Sequence, residues 1–131
     1  VHEGDERRAI DSIMTRLRSL VEETGAGIIL VSHLRRVDGN KGHENGIEVS
    51  LSHLRGSNSI GQLSDCVIAL ERNQQADDPE EARTTRMRVL KSRYTGDVGL
   101  ATRVIYDHET GRLSELSDSD ISFEESNEEA F

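Results

Sequence analysis

Four side chains in this sequence have the chemistry to handle a phosphoryl group. Lys91 and Arg93 stand together at the end of an alternating run, just before the glycine turn Gly96-Asp97-Val98-Gly99. An arginine there can project past a sheet edge toward a neighbour, whereas its bland alternative is a surface ion pair that contributes little. His33 closes the aliphatic run Ile28-Ile29-Leu30-Val31-Ser32. The C-terminal end of a strand in an α/β sheet is where such folds meet their ligands, although a lone histidine there is more often satisfied by a backbone carbonyl. Gln62 carries an amide that can donate to a phosphate or to an attacking water, or it is simply a helix-surface glutamine. Arg35, Arg36, Asn40, Lys41 and His43 follow His33 in a polar stretch. Lysine and arginine neutralise phosphate without reading sequence, which suits a groove for any nucleic-acid strand, while composition alone fits a solvated loop equally well.

These residues need elements to hold them. Ile10, Ile13, Met14, Leu17, Leu20 and Val21 recur at helical spacing, which predicts an amphipathic helix from about Asp5 to Glu23 with Gly25 as its stop. The run from Gly27 to His33 reads as a strand buried on both faces, as in a parallel sheet flanked by helices. Residues 34 to 48, with Gly39, Gly42 and Gly46, read as a long mobile loop. A short helix around Ser57 to Leu63 then leads to a second apolar strand, Asp65 to Glu71. Asn73 to Ala82, with the one proline of the chain, reads as a surface loop. Arg86 to Arg93 and Leu100 to Tyr106 form a predicted hairpin, with a last strand near Arg112 to Leu116.

With 131 residues and only 3% aromatics, the chain fits one domain with an aliphatic core. Its single cysteine, Cys66, lies in an apolar run and reads as a small buried thiol, so no cysteine-based metal site is built and no metal ligand is assigned. No apolar run is long enough to span a bilayer, and no membrane partner is expected. The formal charge of −9 is unevenly spread. Glu115, Asp118, Asp120, Glu124, Glu125, Glu128 and Glu129 take −7 of it, which leaves −2 for the residues up to Arg112. The excess acid therefore does not oppose a basic surface around Arg35, Arg36 and Lys41. From Ser117 the composition is acidic and serine-rich, too polar to repay ordering, and predicts a disordered tail over 117–131.

The ordered set Val31-Ser32-His33-Leu34, Arg55-Gly56-Ser57, Gln62-Leu63-Ser64-Asp65, Glu71-Arg72-Asn73 and Lys91-Ser92-Arg93-Tyr94-Thr95-Gly96-Asp97 resembles the C-terminal half of DnaB-like hexameric replicative helicases. Within them it is most similar to the phage helicase-primase type. The resemblance runs from about residue 5 to 116 and implies an α/β fold, the C-terminal portion of a RecA-like doubly wound sheet over 1–116. It also implies a homohexamer with ATP or another NTP, dTTP included, and Mg2+ between subunits and single-stranded DNA in a central channel. No Gly-x-x-x-x-Gly-Lys-Ser/Thr loop occurs in the chain. The chain accordingly reads as a fragment, inactive alone, whose phosphate loop and magnesium ligands are expected before Val1.

By the same resemblance, His33 and Gln62 would sense the terminal phosphate, and Arg93 with Lys91 would be the finger pair that completes a neighbour's site. Arg72 and Tyr106 would stack on the nucleotide base. Arg35, Arg36, Asn40, Lys41 and His43 would grip the DNA backbone. The acidic tail ending in Phe131 resembles a docking tail for the replication DNA polymerase, and the location implied is cytoplasmic, that of the bacterial host for a phage protein. One departure is Gly61, where relatives carry a basic residue. The competing readings are another RecA-like ATPase of recombinase or clock type, and a binding module without catalysis.

Overall fold

The computed structural model describes residues 3–56 and 58–116; the tail read over 117–131, Phe131 included, lies outside them. Helix α1 spans Glu3–Thr24, and Gly25 ends it with a left-handed φ of 70° that a side chain would disfavour. The Gly25 N–H donates to the carbonyl of Val21 at 2.9 Å, the single-bond form of the αL cap. Met14 is buried on the inward face of α1, while Ile13 and Leu20 remain exposed.

Residues 25–50 contain no regular helix or strand. The predicted central strand from Gly27 to His33 is the main correction. The stretch has no ladder partner, and Ile29 and Val31 are 97% and 85% exposed. A strand needs neighbours for its backbone groups, and among the described residues no strand pairs with it. Beyond it, Leu34 makes an isolated antiparallel bridge to Leu54, with Arg35 N–H donating to the His53 carbonyl at 2.8 Å and Arg55 N–H to that of His33 at 3.2 Å. A 3-10 turn over Leu51–His53 and helix α2, Ser59–Leu63, follow. Ile60 and Gly61 are the buried face of α2, which packs on α1.

The rest is a four-stranded antiparallel meander in sequential order: β1 Cys66–Glu71, β2 Thr84–Ser92, β3 Gly99–Tyr106 and β4 Leu113–Glu115. Cys66 faces Ser92 at one end of the β1–β2 ladder and Glu71 faces Arg86 at the other. The inward positions of β1 are Ala69 and Glu71, whereas Ile68 and Leu70 lie on an uncovered face. Cys66 is exposed on this strand as well, which corrects the expected buried thiol. The loop read over Asn73 to Ala82 contains a short helix, α3 Pro79–Arg83. Its signals are local: the Asp78 carboxylate accepts from Glu80 N–H at 3.1 Å, and Pro79 occupies the first turn, where its missing N–H costs nothing. No described helix is long and apolar enough to cross a membrane.

Candidate functional site

Lys91, Arg93 and Gln62 come together at the Cys66–Ser92 end of the sheet. Lys91, at the end of β2, donates from Nζ to the carbonyls of Gly61 and Gln62 at 2.8 and 3.0 Å. Arg93, one residue beyond β2, donates to the Gln62 carbonyl at 3.1 Å and to Asp65 Oδ1 at 2.8 Å. The cations thus lie where α2 leaves its last carbonyls unpaired, the helix end that favours positive charge. Gly61 shares in this, since it is buried against Leu51 and Leu54 and presents its backbone oxygen to Lys91. Arg93 is 38% exposed at its side chain. Its held end faces its own subunit and the remainder faces solvent.

Asp65 organises this end. Its two carboxylate oxygens each accept from Arg18 Nη1 at 3.0 Å, and Oδ1 also takes Arg93. Arg18 pairs in turn with Glu22 one helical turn on, at 3.2 Å. The hydrogen bond that Arg18 donates to Asp65, then the one it donates to Glu22, hold its guanidinium above its ordinary range. Sequence reasoning used Asp65 as the start of a strand and as part of the Gln62-Leu63-Ser64-Asp65 motif, without giving it a partner, and did not single out Arg18.

The base-contact candidates lie at the other end of the meander. Arg72 is exposed immediately after β1, and Tyr106 is half-buried as the last residue of β3, edge-on to His108 at 5.1 Å. Six residues of β1 separate the two ends, roughly 20 Å of extended chain.

The basic stretch is exposed at Arg35, Arg36, Asn40 and Lys41. Arg35 Nε donates to the Ser52 carbonyl at 2.7 Å. His43 is turned inward instead: its Nε2 lies 2.9 Å from the Arg35 carbonyl, and its ring meets His53 edge-on at 5.4 Å. His33 is exposed beside the Leu34–Leu54 bridge and is held through its backbone. Between this stretch and α1 runs a cleft of about 960 Å³ lined by Arg7, Arg35, Arg36 and Arg55, with Glu6 as the one acidic residue. Glu6 lies 3.7 Å from Arg55. Arg7 and Arg55 were not among the sequence candidates, because each taken singly is an ordinary surface arginine. Among the described residues no group of three or more histidine, cysteine or acidic side chains could hold a metal.

Comparison with known proteins places the chain in a family. The model of the DnaB-like helicase C-terminal domain family matches residues 1–115. A DNA helicase/primase of Enterobacteria phage T3 is 45% identical over 115 residues, which cover 88% of this chain and 20% of that relative.

Proposed function

This chain belongs to the DnaB-like helicase C-terminal domain family, and on that premise we propose that it is part of an ATP-dependent replicative helicase that moves on single-stranded DNA and unwinds duplex. The observation that carries the reading is the separation of two half-sites on one sheet. Lys91, Arg93 and Gln62 occupy one end, and Arg72 and Tyr106 the other. A nucleotide served by both ends is more simply held between two copies of the chain than by one, as in a ring of RecA-like subunits.

In such a ring Arg72 and Tyr106 offer planar guanidinium and phenol faces to a base, a contact that tolerates any base. Arg93 leaves Asp65 and the Gln62 carbonyl to reach the partner's phosphates, where a guanidinium stabilises charge on the transferring group. Lys91 remains on the α2 carbonyls, close enough to add its charge. The Gln62 amide and the His33 imidazole are the donors that register whether the terminal phosphate is present. The donor set, cationic and amide, fits a polyphosphate, while the magnesium ligands and phosphate loop are assigned to sequence before Val1. The bound NTP supplies the phosphoanhydride whose hydrolysis drives movement.

Arg35, Arg36, Asn40 and Lys41 hold the DNA backbone, and Arg7 and Arg55 extend the same positive cleft. His43 supports that loop from within through the Arg35 carbonyl. The acidic tail with Phe131 docks the replication polymerase, an apolar anchor with flanking charge being suited to a basic, partly apolar groove. The setting for this work is the cytoplasm of an infected bacterium.

The test is Arg93→Ala in the full-length protein. Rings and nucleotide binding should persist, while hydrolysis falls by about 10³-fold or more. Arg93→Lys should rescue poorly, because ammonium lacks the planar fork of donors. Mixing Arg93→Ala subunits with subunits lacking the phosphate-loop lysine should restore hydrolysis at the interfaces that regain one complete site. Absence of complementation, with subunit exchange confirmed, would show that Arg93 does not act across an interface.

A further inference from the structure

Glu71 is a carboxylate in the wrong place for solvent. The residue is 3% exposed at the last inward position of β1, yet it carries two attachments from different parts of the chain. Arg88 Nε from β2 donates to Oε2 at 2.8 Å and to Oε1 at 3.2 Å. The backbone N–H of Val49, itself 3% exposed, donates to Oε2 at 2.9 Å. Arg88 also reaches Glu48 at 3.6 Å. Two further contacts join the same segments. Asn45 bridges Asn73, and Gly46, at φ 73°, lies so close that a Cβ would meet the Asn73 backbone nitrogen at 2.9 Å. The C-terminal leg of the DNA-contacting loop, Asn45 to Val49, is therefore clamped to Glu71–Asn73, and the residue in the middle of that clamp is Arg72.

We propose that Glu71 is a positioning residue that fastens the DNA-contacting loop to the nucleotide-base residue Arg72, so that occupancy of the base site and the grip on DNA are coupled through the Asn45–Val49 clamp. The inference rests on the reading of Arg72 and of the basic loop given above and adds the element that joins them. A buried ion pair is a weak source of net stability, because desolvation offsets the attraction. What it secures is geometry. A carboxylate cut off from water tolerates neither loss of Arg88 nor loss of the Val49 N–H, so the loop leg must follow β1 when its end moves. Arg72 is one peptide bond from Glu71, and Lys41 is eight residues from Val49. Engagement of a base by Arg72 thus acts on the loop through a short and tightly packed path. A coupling of this kind is reciprocal: the factor by which nucleotide changes DNA affinity equals the factor by which DNA changes nucleotide affinity.

The experiment measures binding of a fluorescent oligo(dT) strand to the full-length protein with and without a non-hydrolysable NTP analogue. The ratio of the two affinities is the readout. Glu71→Gln keeps an acceptor for the Val49 N–H but loses the charge that holds Arg88. It should leave DNA affinity without nucleotide near its original value and reduce the ratio by about fivefold or more. Nucleotide affinity measured with and without DNA should lose the same factor. Gly46→Ala disturbs the other contact of the clamp without touching the buried pair, and it should reduce the ratio in the same direction even if Glu71→Gln fails to fold. Ratios unchanged in Gly46→Ala and in any folded Glu71→Gln protein would overturn the proposal. So would equal losses of affinity with and without nucleotide, the mark of a merely structural carboxylate. Arg72→Ala separates this from the underlying reading: unchanged nucleotide affinity there removes the base-site assignment and the coupling with it, whereas weakened affinity with intact ratios in the Glu71 and Gly46 variants removes the coupling alone.

Discussion

Two apolar runs of similar composition, Gly27 to His33 and Cys66 to Glu71, end in opposite structural states. The second is β1, paired along its length with β2, which begins thirteen residues after β1 ends. The first has an unladdered backbone, with Ile29 and Val31 in solvent. Composition states a demand for burial in both cases, and only the supply of a neighbouring strand separates them. Antiparallel neighbours come cheaply from nearby sequence through tight turns, whereas parallel neighbours arrive by crossover from farther away. Under the proposed RecA-like reading, the 27–33 run lies on the side that further strands would complete. The candidate sensor His33 and the basic stretch proposed to hold DNA follow directly from that same run.

The sharpest way to break this comparison is to put a charge into the unladdered run. Under the doubly wound reading, Ile29 is enclosed by strands from the rest of the protein, so Ile29→Asp should destabilise the full-length protein by about 3 kcal/mol or more, as expected for an unpaired buried charge. Denaturant unfolding measures this directly. A change within about 0.5 kcal/mol, typical of an exposed site, would mean that Ile29 is as open in the whole protein as it is here and that the run is not a core strand.

A smaller effect tests the loop that the run carries. Arg35→Ala with Lys41→Ala should weaken single-strand binding evenly across sequences and lower the salt dependence of log K by roughly 1.4, two phosphate contacts at about 0.7 each. Basal hydrolysis should survive while its stimulation by DNA falls. An unaltered salt slope would detach the loop from the backbone of the DNA.

The individual strands of the meander, its β2–β3 hairpin and helices α1 and α2 were legible because their signals are local, whereas the antiparallel pairing of β1 with β2 was not. Helical spacing from Ile10 to Val21, alternation on either side of Gly96 and Gly99, and a stop at Gly25 each specify an element without reference to the rest of the chain. Helix α3 carried an equally local signal in Asp78-Pro79-Glu80-Glu81, outweighed by the loop character of its surroundings. The strand at Gly27 to His33 and the burial of Cys66 were not obtained, since both depend on what covers an apolar surface, a tertiary matter. In the site, residue types singled out Lys91 and Arg93, but not the backbone carbonyl of Gln62 or the carboxylates that hold their surroundings. Asp65 gathers partners 47 and 28 residues away, and Glu71 one that is 22 away. Pairings over such separations leave no mark in the spacing of a single sequence.

The smallest expected effect probes the satisfied region, at the turn from β3 to β4 that follows Tyr106. The Asp107 carboxylate accepts from Thr110 Oγ1 at 2.8 Å and from Glu109 N–H at 2.9 Å, and the Thr110 hydroxyl followed by the Glu109 amide hold its pKa below the ordinary aspartate value. A depressed folded-state value means that the charged form is preferred in the native turn. Its contribution is present above the unfolded value of about 3.9 and is lost as pH falls through the lower folded value. Amide exchange of Glu109 and Thr110 should therefore stay slow down to about pH 4 and quicken below it, with little change in the β1–β2 ladder at the same pH. Asp107→Asn keeps an oxygen for the Glu109 amide but does not ionise, so its exchange at these positions should be faster at neutral pH and lack the acid step. Because the turn is exposed and the sheet is paired on its other side, global stability should move little. An acid step that persists in Asp107→Asn would assign it to another carboxylate, and one that spreads into β1 would show that the meander is less independent of its turns than its ladders imply.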